Sequence, residues 1–317
     1  MINERPQSSD CRVTVISIWH DRRARVEDSL RSVLSQTSTS AKYLIVDDGS
    51  TDGTFEALST VAADFPRQDV SVIQQRNEGF TKALKRWTSE VETPYFALHG
   101  AGDISAPTRI ASQIDHAEST QAVVVGCAVG SVDAAGLRSS VERMPRDCRR
   151  GGAVPRRPPR PGTHGAALIR TEVFNAAGGY RTVFRYSQDA DLWFRMSALG
   201  DFQGVPDLLY WKYGGTGETV SSDASKRLLQ ALYGELARQC EEDRVAGRPD
   251  LVQRFDEDAI HFMRDTGRLR KRLLGSGVQA QDLAVMRGLV GTEMAQGGGA
   301  TMRSRSPRLA ALRRLLP

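Results

Sequence analysis

Apolar positions fall along this chain in two alternating rhythms. Residues 13–18, 43–46, 70–74, 95–98 and 122–125 are short, nearly continuous apolar runs, the pattern of strands buried on both faces. Between them, apolar residues recur at helical spacing. Val26, Leu30, Val33 and Leu34 share one face of residues 25–36. Phe55, Leu58, Val61 and Ala62 repeat the pattern, as do Phe80, Leu84 and Trp87. A further helix is expected over 107–117, entered at Pro107, a favoured first-turn residue. Residues 163–170 read as a strand entering a helix, 178–180 as a turn, and 205–213 as a strand. Leu192, Met196 and Leu199 line up on a helix that starts near Gln188. Alternating strands and helices predict an α/β domain over 12–221, in halves of about 12–120 and 121–221. From 222 to 317 only the helical rhythm persists, at 227–244 (Leu228, Leu232, Leu236) and 251–274, which predicts a helical C-terminal extension.

The second strand ends in Asp47-Asp48-Gly49, and Ser50, Thr51 and Asp52 then offer N-cap side chains for the next helix. Open α/β sheets bind ligands at the carboxyl edge of their strands, where this acidic turn falls. An aspartate there can accept a hydrogen bond from a nucleobase N–H or a ribose hydroxyl. Asp and Gly are also ordinary turn residues, and spacing alone does not choose between the two readings.

The ordered blocks do more. Residues 46–54 (Val-Asp-Asp-Gly-Ser-Thr-Asp-Gly-Thr) resemble the signature of family 2 glycosyltransferases, which have the GT-A fold. The resemblance takes in residues 13–17, 29–37, 77–79, 107–113 and 188–195, and covers roughly 12–221. It implies a Rossmann-like mixed sheet flanked by helices and inverting transfer of a sugar from a nucleotide-diphosphate donor to a hydroxyl acceptor. That acceptor would be a glycan or a lipid-linked group in cell-surface polysaccharide synthesis. By the same resemblance Ser17, Trp19, Asp47, Asp48, Asn77 and Gly79 lie at the nucleotide, and Gly102 and Asp103 at the diphosphate. His164, Gln188 and Asp191 lie toward the acceptor, and Asp189 is the general base that takes the acceptor hydroxyl's proton. Trp19 either stacks on the base or simply packs. Asp191 orients the site or caps its helix.

One block departs from the family. An Asp-x-Asp usually follows the fourth strand and holds Mg²⁺ or Mn²⁺ against the diphosphate; here the run is His99-Gly-Ala-Gly-Asp103. Glycine has no side chain to ligate with. Either Asp103 holds the metal with waters and phosphates, or the metal is dispensed with. His99 is a ligand, a phosphate donor or a structural residue. A degenerate protein that binds nucleotide-sugar without turnover is the alternative these glycines raise, and the retained Gln188-Asp189 pair argues against it. The lack of a GxGxxG turn after the first strand argues against a dehydrogenase.

The net charge of +5 and pI near 9.2 favour anionic ligands such as a nucleotide diphosphate. No nucleic-acid motif accompanies that charge, so no nucleic-acid partner is expected. Arginines of the Arg- and Pro-rich stretch 146–162 could meet the diphosphate, or the stretch is a solvated insertion. The tail 303–317 mixes Arg and Leu in a way that suits an anionic membrane surface, a partner helix or its own domain. Cys11, Cys127, Cys148 and Cys240 form no CxxC pair, which suggests reduced thiols. With no signal-peptide-like start and no apolar run long enough for a span, a cytoplasmic protein is expected, with any membrane contact peripheral.

Overall fold

The computed structural model describes residues 11–38, 40–66, 69–133, 138–142, 158–159, 161–213 and 224–260. Stretches 146–157 and 303–317, and the expected helix beyond 260, lie outside the described residues. Nine strands, β1 (Val13–Trp19), β2 (Ala41–Asp47), β3 (Asp69–Gln74), β4 (Tyr95–Leu98), β5 (Ile104–Ser105), β6 (Val124–Val132), β7 (Arg138–Glu142), β8 (Leu168–Arg170) and β9 (Phe202–Tyr213), join in one sheet. Its order is β3-β2-β1-β4-β8-β6-β9-β5, with β7 on β6. The first four positions are parallel, β8 runs antiparallel between β4 and β6, and β9 returns parallel to β6.

Strand alternation sorts the core into two layers. Val13, Val15, Trp19, Tyr43 and Ile45 face α1 (Val26–Leu34), α2 (Thr54–Ala63) and α4 (Arg109–Thr120). Ile16, Ile18, Val46, Phe96 and Leu98 face α3 (Phe80–Ser89), α5 (Thr171–Ala176) and α6 (Gln188–Ser197). The four apolar residues expected inside α1 are all buried. On α3 the buried face is Thr81, Ala83, Leu84 and Thr88, whereas Phe80 is 46% exposed. Thr81 wins the inner position because its hydroxyl donates to the Phe184 carbonyl at 2.9 Å. Leu199 falls beyond the end of α6 and is exposed, unlike Leu192 and Met196.

The extension begins with α7 (Ala224–Val245) and α8 (Leu251–Phe255), the latter opened by a capping box between Asp250 and Gln253. Leu229, Leu232, Leu236 and Cys240 of α7 pack on Phe184 and Phe194, which covers the outer side of α6. Among the described residues no helix is long and apolar enough to cross a membrane, and Cys11, Cys127 and Cys240 are free.

Candidate active site

The acidic turn after β2 is built from internal hydrogen bonds. Asp47, fully buried, accepts from Ser50 N–H at 3.1 Å, from the Ser50 hydroxyl and from Gln74 Nε2 at 3.2 Å. Asp48 accepts from Glu78 N–H at 3.0 Å, Gly79 N–H at 2.9 Å and Gln75 Nε2 at 2.7 Å. Gln75 in turn accepts from the Trp87 indole at 2.7 Å, which draws α3 to the same turn. Gly49 is required at its position: its φ is +74°, and a Cβ would sit 2.6 Å from Asn77 N. Asp48 therefore sets the path of the Glu78–Gly79 backbone across the strand ends, while Asp47 braces the turn at Ser50 and the end of β3 at Gln74.

The N-cap position of α2 is the left-handed Gly53, and of Ser50, Thr51 and Asp52 only Asp52 meets the helix start, accepting from Thr54 N–H at 3.0 Å. All three join the β1–α1 loop to the turn. Ser50 Oγ accepts from Asp21 N–H, Asp21 Oδ1 from Thr51 N–H, and Asp52 from Arg23 N–H, at 2.8–3.0 Å. Burial acts to raise the Asp52 pKa, but bonds from the Thr54 hydroxyl and the Arg23 and Thr54 amides bring it below the usual value. Trp19 is a correction to the stacking alternative. It has no exposed surface and packs in the α1–α2 layer, with Ser17 buried two residues earlier on that face. It is His20 that reaches the edge, within 3.1 Å of Asn77 Nδ2.

At the end of β4 the run 99–103 folds inward. His99 is held by Ser29 Oγ at 3.1 Å and packs edge-on to Tyr210 at 5.7 Å. Burial, then the Arg109 charge, hold its pKa well below the ordinary value, so the ring is neutral. Asp103 accepts from the Tyr210 hydroxyl at 2.7 Å and from Tyr213 N–H at 2.9 Å, and Tyr210 itself accepts from Gly100 N–H at 2.8 Å. Both carboxylate oxygens are thus engaged by the protein. Glycines at 100 and 102 and a carboxylate tied to two internal donors do not fit a divalent ion. No group of three or more His, Cys, Asp or Glu suited to a metal occurs among the described residues.

Gln188 and Asp189 open α6, Asp189 half-buried and accepting from Ala190 N–H at 2.9 Å. A carboxylate at a helix N-terminus is favoured by the dipole. Close to it, His164 Nε2 meets the Tyr180 hydroxyl at 2.8 Å. Burial lowers the His164 pKa, and the Asp189 charge only partly opposes it, while burial and that same charge push Tyr180 well up. His164 also lies edge-on to Trp193 at 5.9 Å and to Phe80 at 6.2 Å. Phe80 directly follows Gly79, so the turn that Asp48 holds leads to His164, whose ring feels the Asp189 charge.

Asp191, expected toward the acceptor, is buried in the body of the protein instead. It is buried in an ion network with Arg195 at 2.7 Å and Arg181, and Arg181 continues to Asp250 at 2.8 Å. Burial would raise the Asp191 pKa, but the Arg195 and Arg181 charges bring it below the usual carboxylate value.

Residues 14–192 match the family model described as Glycosyl transferase family 2. The chain belongs to that family. It is a family 2 glycosyltransferase with a GT-A-like fold. Among its relatives, EpsE of Bacillus subtilis (strain 168), which carries a glycosyltransferase name, is 27% identical over 200 residues, 62% of this chain and 70% of EpsE. Two solved structures share the fold. The mannosyltransferase PcManGT from Pyrobaculum calidifontis, in complex with GDP-Man and Mn²⁺, gives a TM-score of 0.55 at 14% identity. It covers 98% of this chain and 81% of that one. S. aureus TarS 1-349, in complex with UDP-GlcNAc, gives 0.53 at 14% identity, over 75% of this chain and 73% of TarS.

Proposed function

We propose that this glycosyltransferase uses a nucleotide-diphosphate sugar and transfers the sugar with inversion to a hydroxyl of a glycan or lipid-linked acceptor, in cell-surface polysaccharide synthesis. Asp189 is the general base. As the acceptor oxygen attacks the anomeric carbon, its proton passes to the Asp189 carboxylate and the nucleotide diphosphate leaves from the opposite face. Asp47 and Asp48 bind the nucleoside, and Asp48 also fixes the turn through Glu78 and Gly79. His164 stands neutral at the acceptor side with Tyr180 fixing its ring, and Gln188 precedes the base. The observation that supports this assignment best is the continuity from Asp48 through Gly79, Phe80 and His164 to Asp189. Together with the family resemblance, it supports a donor site near the carboxylate that opens α6.

Turnover of a panel of UDP-, GDP- and dTDP-sugars tests the reading. Asp189→Asn is expected to lower kcat by about 10²–10⁴-fold with donor Kd unchanged, the range for loss of a positioned base. Full turnover by this variant would sink the assignment of the base, and no nucleotide binding by the wild type would sink the donor class.

A further inference from the structure

The place where the family holds a metal ion is occupied here by a side-chain clasp. Gly100 N–H donates to the Tyr210 hydroxyl, which donates to Asp103 Oδ2, and Tyr213 N–H donates to Asp103 Oδ1. Tyr210 is fully buried, and the guanidinium of Arg109, also fully buried, lies 5.0 Å from the centre of its ring. Arg109 is itself fixed, donating at 3.0 Å to the carbonyls of Leu98 and Gly165 on either side of the clasp.

The glycines belong to the same device. A Cβ at Gly100 would fall on Asp103 Oδ2, closer than any van der Waals contact, and 3.2 Å from the Tyr210 hydroxyl. A Cβ at Gly165 would fall on that hydroxyl and lie 2.9 Å from Gly100 N. An aspartate at 100 and the clasp therefore exclude each other, and the carboxylate missing at 100 is part of a rebuilt site rather than a simple loss. A divalent ion needs oxygen lone pairs turned outward. Here Asp103 directs its two oxygens at an O–H and an N–H, with a buried cation behind them.

From this geometry we propose that the protein binds its nucleotide donor without an Asp-held divalent ion, and that Tyr210 and Asp103 act as positioning residues that hold the 99–103 turn in the metal's stead. The inference rests on the nucleotide-donor reading above.

Calorimetric titration of the full chain with UDP, GDP, UDP-GlcNAc and GDP-Man, in excess EDTA and in MnCl₂, tests it, with Mn²⁺ capture followed by electron paramagnetic resonance. For the nucleotide that binds, affinity is expected to agree within about twofold between the two conditions, with no protein-dependent Mn²⁺ signal, since an ion at the diphosphate couples to nucleotide affinity by linkage. The Asp103→Asn variant is expected to keep that ratio near one. Tightening by about tenfold or more in Mn²⁺, abolished by Asp103→Asn, would overturn the proposal and leave the donor reading intact. Absence of nucleotide binding in both conditions would overturn both.

Discussion

Replacing Asp191 by Ala should unfold this protein more readily, and the structure sets the size of the effect. Asp191 is 1% exposed and accepts from Arg195 Nε at 3.1 Å and from its terminal nitrogen at 2.7 Å. Arg181 binds the same carboxylate through two nitrogens, Nε at 3.0 Å. Removing one partner of a buried pair leaves the other charge uncompensated, a loss of about 3–5 kcal/mol. Arg181 keeps Asp250, and Arg195 keeps the Ala177 carbonyl with the Glu241 charge near it, so the lower end, about 3 kcal/mol, is expected. That corresponds to a fall in Tm of roughly 6–12 °C for a domain of this size. Urea unfolding followed by tryptophan fluorescence measures it, with Asp189→Asn as the control. The control should change stability by no more than about 1 kcal/mol, because Asp189 is half-buried and its one described bond is to the next amide. The linkage adds a second readout. Asp191 is held below the ordinary carboxylate pKa, so its stabilisation is full above about pH 4 and fades as pH falls through the folded value. The alanine variant should lack that acid limb. A loss under about 1 kcal/mol, or equal losses at 189 and 191, would refute the division of labour between the two carboxylates.

Three other outcomes are expected. Asp103 titrates at about 6 because burial outweighs the Tyr210 and Tyr213 bonds, so the folded state binds more protons than the unfolded one between about pH 4 and 6. Stability should therefore fall by about 2–3 kcal/mol across that window as pH rises, and the fall should vanish in Asp103→Asn, as chemical unfolding at a series of pH values would show. Gly49→Ala, at φ +74° and against Asn77 N, should cost about 2 kcal/mol or more in urea unfolding and weaken donor binding, because the strain sits under the Asn77–Gly79 segment. Trp19→Phe should cost about 1–3 kcal/mol in thermal unfolding as a core truncation, with nucleotide Kd within about twofold; a tenfold loss of affinity would restore the stacking role.

What could be read in the sequence was what repeats locally. β1, β2 and α1 followed from apolar spacing, because each is buried along a whole face or on both. The family blocks located the turn at Asp47 and the helix at Gln188 before any geometry. Trp19 was not decidable, since an aromatic at a strand end looks the same whether it enters the core or the crevice. Phe80 was misassigned because periodicity ranks side chains by polarity, and the decisive contact was a threonine hydroxyl on a carbonyl 103 residues away. The two-residue β5 offered no period to detect. In the ion network only the 191–195 pair had a local signal, its i,i+4 spacing; Arg181 and Asp250 are joined to it by folding alone. The glycines at 100 and 102 were visible, but the tyrosine that explains Gly100 lies 107 residues from Asp103 along the chain.

These long-range contacts give the extension a structural part behind α6. Asp189 and Asp191 are two residues apart on α6, which turns their side chains roughly 200° from one another around the helix. One can therefore face the crevice only if the other faces the body of the protein, where a bare carboxylate would be costly. Arg181 and Arg195 make that buried position favourable, and Asp250 at the start of α8 ties Arg181 down. The Ser187 hydroxyl, at the left-handed residue that starts α6, donates to the Gln230 carbonyl of α7 at 2.9 Å. Phe194, on the same helix, is buried against Leu229, Leu232 and Leu236. The helix that carries the proposed base is thus gripped from behind at its start and along its apolar face by residues past 222, and its buried carboxylate is held by Arg181 and Arg195, with Asp250 securing Arg181. The rotation of α6, and with it the direction of Asp189, is a property of the extension as much as of the family domain.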